Sequence, residues 1–181
     1  MINIVKSAIE RIYIKGDYDF FRRKCNIEMD MPKQIEEHIL SNKYKLEDIS
    51  EGNKVSKTWF INMGDYTKGE FSVTYIAKLQ VSKITPIYYM QNGFSVVNMD
   101  EDCLEERLIG YDISDSYCKK QMGLLEIIES TYSEMRYKQI YYSDMREVPK
   151  GINLDEWDKN ISLQPKVEVL LFNDPYKICL E

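Results

Sequence analysis

The chain has 181 residues, with 24 basic and 30 acidic side chains for a formal charge of −6, one histidine, four cysteines and 44% hydrophobic residues. That length suits one domain with a core of its own, and 12% aromatic residues with only eight glycines and five prolines exclude a disordered, collagenous or linker-dominated chain. Apolar runs of only a few residues exclude a membrane span, which needs about 20, and Lys6, Glu10 and Arg11 interrupt the apolar stretch of a signal peptide, so the expected location is cytoplasmic.

Ile2, Val5, Ile9 and Ile12 recur at spacings that predict one face of an amphipathic helix, ended by Gly16-Asp17. Residues 20–31 are ambiguous. Pro32 opens a second helix, its fixed φ suiting the first helical position, and Ile35 and Ile39 give that helix a face before Ser41-Asn42. The middle of the chain reads as strands. Tyr44, Leu46 and Ile49 suggest a short one; Val55, Trp59, Ile61 and Met63 share one side of a second; 64–69 reads as a turn. Phe71, Val73, Tyr75, Ala77, Leu79 and Val81 alternate with mostly polar residues, the signature of a long half-buried antiparallel strand. Residues 84–90 form another strand, with Pro86 at an edge or bulge. Asn92-Gly93, with apolar residues on both sides, predicts a type I′ hairpin whose second strand is 94–97.

Tyr117, Gln121, Leu124, Leu125, Ile128 and Tyr132 predict a helix over 115–133, capped by Ser114 or Asp115. Residues 137–142 read as a strand, 143–165 as irregular, and 167–172 as either a buried strand or a short helix. The expected fold is a single α+β domain over 1–181, with a mainly antiparallel sheet of about five to seven strands and helices packed on one face. Its parts are N-terminal helices over 1–42, strands over 43–98, an acidic connection over 98–116, the helix over 115–133, and a C-terminal strand and irregular region over 136–181.

The charge is concentrated. From Asn98 to Cys118 the acids are Asp100, Glu101, Asp102, Glu105, Glu106, Asp112 and Asp115, against Arg107 alone, so this stretch carries the whole net charge of −6. No basic stripe of the kind a nucleic-acid binder presents accompanies it. Motifs for chemistry are scarce. His38 is the single histidine, without the partners of a zinc site and without a G-x-S-x-G elbow elsewhere. Residues 64–69 have the glycine spacing of a phosphate loop, but Glu70 and Phe71 stand where Lys and Ser/Thr are required. Asn98, Asp100 and Asp102 mimic a calcium loop, but Cys103 and Ile109 stand where Gly and Glu belong. Cys25, Cys103, Cys118 and Cys179 form no C-x-x-C pair, so four reduced thiols, no metal and no cofactor are expected. A carboxylate pair working as in glycosidases stays open, since spacing along the chain does not show which acids approach each other.

Tyr111 and Tyr117 lie in or beside the acidic stretch, with Tyr132, Tyr137, Tyr141 and Tyr142 downstream, and tyrosine is favoured at interfaces for its area and its hydroxyl. The candidate partner-binding residues are therefore Asp100, Glu101, Asp102, Glu105, Glu106, Tyr111, Asp112 and Asp115. A small acidic α+β chain of this kind resembles the immunity proteins of bacterial polymorphic-toxin systems. The segment from Tyr137-Lys-Gln-Ile-Tyr-Tyr through Val148, and that from Val167-Glu-Val-Leu-Leu-Phe through Tyr176, are similar to the ends of proteins found in such settings. The resemblance implies a non-enzymatic protein that binds and blocks a co-encoded toxin domain, with no membrane or nucleic-acid partner. Where that toxin is a nuclease its cleft is basic, and an acidic surface complements it. The alternatives are a carboxylate-using hydrolase and a structural or interaction subunit.

Overall fold

A computed structural model describes residues 1–50, 55–100, 107–112, 115–152 and 165–173, and of the 107–112 segment the backbone and its pairing. The first helix, α1 (Asn3–Ile9), buries Val5, Ala8 and Ile9 and widens into a π-helical turn over Glu10–Ile14 that buries Ile12. Gly16, at φ +70°, ends it in the left-handed conformation that a residue without Cβ adopts most readily. The ambiguous segment after it begins as a helix, α2 (Tyr18–Cys25). The Asp17 carboxylate caps it, accepting from the Phe20 amide at 3.1 Å. Helix α3 (Lys33–Ser41) buries Ile35 and Ile39 as expected, but Pro32 stands at its N-cap with an extended ψ of 135° rather than at the first helical position.

Five strands follow, β1 (Lys45–Asp48), β2 (Ser56–Lys68), β3 (Phe71–Ser82), β4 (Ile87–Asn98) and β5 (Arg107–Asp112). They pair antiparallel in chain order, and a sixth, β6 (Lys138–Gln139), lies parallel to the start of β4. Three expectations are corrected here. Residues 64–69 are not a loop: β2 runs through them to Lys68, and the turn is confined to Gly69-Glu70. A bulge absorbs Gly64, so that Met63 and Gly64 together stand against Tyr75 between the pairs Asn62–Ile76 and Asp65–Thr74. Asn92-Gly93 is not a hairpin but mid-strand in β4, paired with Ala77 and Ile76 on one side and with Asp112 and Tyr111 on the other. The bend lies instead at 83–86, beside Pro86; pairing with a strand on each side keeps β4 straight through the dipeptide. The acidic connection is not continuous loop, because β5 is set within it.

Helix α4 (Lys119–Glu134) starts four residues later than expected, with Cys118 at its N-cap, and neither Asp115 nor any other side chain caps it. The expected strand over 137–142 shrinks to β6 and runs into a short helix, α5 (Tyr142–Met145). Residues 167–172 take the helical alternative, α6 (Val167–Phe172).

The class is α+β with a mainly antiparallel sheet, as expected. One face of the sheet, through Trp59, Ile61, Met63, Ala77, Leu79, Val81, Tyr88 and Met90, packs on α3 and α4. Alternation sends Ile87 and Tyr89 to the opposite face, where they join α1, α2, α5 and α6. The last carbonyls of α6 are satisfied by the sheet: Ser82 Oγ donates to Leu171 O at 2.8 Å and Ser56 Oγ to Phe172 O at 2.7 Å. Cys25, buried in this second cluster, is disulfide-bonded, with a partner outside the described residues, which overturns the expectation of four reduced thiols; Cys118 is free. Spacing along the chain could not show it, because a disulfide depends on distance in space. Among the described residues no helix is long and apolar enough to cross a membrane.

Candidate functional site

Four of the eight expected binding residues fall among the described ones, spread from the end of β4 to the start of α4. Asp100 follows the last residues of β4, its amide donating to Asn98 Oδ1 at 3.0 Å. Tyr111 and Asp112 are in β5 opposite Gly93 and Asn92. Asp115 is exposed ahead of α4. Glu101, Asp102, Glu105 and Glu106 lie outside the described residues. The end of β4 lies beside the β2–β3 turn, Met99 N donating to Glu70 O at 2.7 Å.

Gln121 marks where helix cover stops. Its side chain is fully buried, its amide nitrogen donating to Ile76 O at 2.9 Å and Gly93 O at 2.8 Å, and its oxygen accepting from the Tyr117 amide at 2.7 Å. It thus pins the first turn of α4 across β3 and β4 at their middle. From that point the helix runs toward β6, and the strands continue the other way without it. The bulge at Gly64 moves Tyr66 onto the face that carries Met63, so Tyr66, Phe71, Val73, Tyr75, Phe94 and Val96 share one side of this free half. Tyr66 is 62% exposed, Phe71 51%, Met99 50% and Tyr117 40%. Phe94 meets the Tyr117 ring edge-on, with centroids 4.7 Å apart, and closes over Gly110, where a Cβ would come within 2.5 Å of the ring. A groove of about 370 Å³ runs between Tyr66 and Tyr75 on the sheet and Cys118 and Lys120 at the start of α4.

Sequence reasoning missed Tyr66 and Phe71 as surface groups, reading one as turn and the other as core. The cause is length, which shows only once β2 is seen to run on to Lys68. A 13-residue strand spans about 43 Å, whereas the 16-residue α4 spans about 24 Å, so one such helix cannot roof the sheet.

The tyrosines separate by environment. Tyr132 is core, stacked on Tyr88 with centroids 4.8 Å apart, and burial pushes both hydroxyl pKa values well up. Tyr141 and Tyr142 are exposed, at the other end of the molecule beside β6. His38 packs edge-on to Tyr44 with its Nε2 buried and without a hydrogen-bond partner.

A second concavity, of about 420 Å³, lies between the α2–α3 connection and the start of β2, with Lys57 and Lys83 facing Glu28 and Asp30. Its cations are engaged. Lys83 Nζ donates to Cys25 O at 3.0 Å, and burial, then the nearby Lys57, lowers its pKa. Lys57 pairs with Asp48. Burial works to raise the Asp48 pKa, but hydrogen bonds from Lys57 and from Ser50 prevail and hold it at about 2. No group of three or more metal-ligating side chains occurs among the described residues. Comparison with protein-family models, with curated proteins and with solved structures finds no match for this chain.

Proposed function

We propose that this is a non-enzymatic binding protein, an immunity-type partner that blocks a basic toxin domain through the acidic stretch over 100–115. The observation that carries the reading is a coincidence of place: the stretch holding the chain's whole net charge links β4, β5 and α4 along the half of the sheet that carries the exposed Tyr66, Phe71 and Tyr117. Acids there steer a basic partner, and aromatic area retains it. Cytoplasmic action belongs to this reading. The Cys25 disulfide weighs the other way, since cytosolic thiols are kept reduced; reduced, Cys25 would sit in the core as a small apolar side chain.

The test is co-expression with the toxin domain encoded beside this gene, or a pull-down that identifies it. Glu101→Lys, Asp102→Lys and Glu105→Lys together should leave the melting temperature nearly unchanged while slowing association and removing protection. Undiminished affinity of the triple variant at low salt would refute the reading.

A further inference from the structure

We propose that Cys25 forms its disulfide with Cys179, so that a redox-sensitive bond ties the chain beyond α6 to the end of α2. This goes beyond the binding reading and does not depend on it.

Cys118 is free, so the partner is Cys103 or Cys179, both outside the described residues. The described residues limit where each of the two can reach. Cys25 ends α2 in the second hydrophobic cluster, with Val55 and Ile84. Its carbonyl accepts from Lys83 Nζ at 3.0 Å, and it lines one cavity with Ser56, Lys57 and Lys83. Ser56 pairs with Ser82 where β2 begins and β3 ends, so Cys25 sits at that end of the sheet.

Cys103 is held to the other end. Val81 pairs with Tyr88 at the near end and Phe71 with Asn98 at the far one, while Arg107 pairs with Val97. Between Tyr88 and Val97 the strand covers about 30 Å. Cys103 precedes Arg107 by four residues, a reach of at most about 14 Å. Bridged cysteines keep their Cα atoms within about 6.8 Å, so a bond from Cys103 stops roughly 9 Å short of Tyr88. Cys25 lies further on, beside Lys83.

Cys179 has no such gap to cross. Phe172 O accepts from Ser56 Oγ at 2.7 Å and Leu171 O from Ser82 Oγ at 2.8 Å, so α6 ends on the two serines at the Cys25 end of the sheet. Asn173 lines a concavity with Ser56, which also lines the cavity of Cys25. Cys179 follows Phe172 by seven residues, a reach of up to about 25 Å, which is ample for the return to Cys25. Forming the bond takes one electron and one proton from each thiol; a disulfide oxidant accepts them in two exchange steps and becomes two thiols, and a dithiol reverses the reaction. The cross-link closes a loop from residue 25 to residue 179, and so long a loop restricts the unfolded chain strongly.

The test is non-reducing peptide mapping of the full chain. Free thiols are blocked in the unfolded protein, and trypsin then cuts after Lys24, Lys33, Lys83, Arg107, Lys119 and Lys177. The expected product joins 25–33 to 178–181 and separates on reduction. A product joining 25–33 to 84–107 or to 108–119, a bond between two copies of Cys25, or Cys25 recovered in blocked form overturns the proposal. Two variants give a second readout. A dithiol should lower the melting temperature of Cys103→Ala as much as that of the wild type, and should leave that of Cys179→Ala unchanged. The reverse pattern overturns the pairing.

Discussion

Gln121 does at one position what a whole loop does elsewhere. Its amide closes two buried strand carbonyls and its oxygen closes a backbone N–H ahead of α4, from a side chain that is itself fully buried. Gln121→Leu fills similar volume but strands those three groups. Leaving a buried polar group unpaired costs about 1–3 kcal/mol, so the variant should lose at least that much in urea unfolding. Asp48 offers a pH test. Its pKa is held near 2, below the ordinary 3.8, so the folded state favours its ionised form. That contribution is complete above about pH 4 and fades as pH falls toward about 2. The melting temperature of Asp48→Asn should therefore fall less steeply than wild type over that acid range.

Helix α6 shows how a short element can be decisive. Val167, Leu170, Leu171 and Phe172 are each no more than 1% exposed, and Ser56 and Ser82 donate to the carbonyls of its last two residues. Six residues are too few to be helical alone, so packing rather than propensity makes this segment a helix. Leu171→Ala should cost about 2–5 kcal/mol, the range for large-to-small changes in a closed core, measured by denaturant unfolding. Helix α4 and the strands carry the complementary lesson. Strands rise about 3.3 Å per residue and helices 1.5 Å, so one helix roofs only part of the sheet.

Across the whole molecule, core and charge are separated. The two hydrophobic clusters lie on opposite faces of the sheet, while the acid-rich stretch over 98–118 links β4, β5 and α4. Charge reversals there should act on binding far more than on folding. The Cys25 disulfide acts on folding. Cross-links of this type contribute about 2–4 kcal/mol through the unfolded chain. A reductant should therefore lower the melting temperature of the wild type, and Cys25→Ala should be insensitive to it. Thiol titration of the unfolded, unreduced protein should return two thiols; four would show that the bond does not form.

Local periodicity made α1, α3, β3 and the core face of α4 legible, because the side chains that point inward, such as Ile35, Ile39, Leu79 and Ile128, recur at spacings their own backbone sets. The same holds for the α+β class, which follows from the order of those elements, and for the concentration of charge over 98–118, which is a property of composition. What depended on partners distant in the chain was not legible. Asn92-Gly93 locally favours a tight turn, and pairing with β3 and β5 imposed the strand instead. Residues 167–172 could be strand or helix until Ser56 and Ser82 met the α6 carbonyls. The one-residue bulge at Gly64 put Tyr66 on the aromatic face, and Gln121 set where helix cover stops. Those outcomes turn on a register between strands and a buried hydrogen bond, both fixed by contacts across dozens of residues that no local pattern encodes.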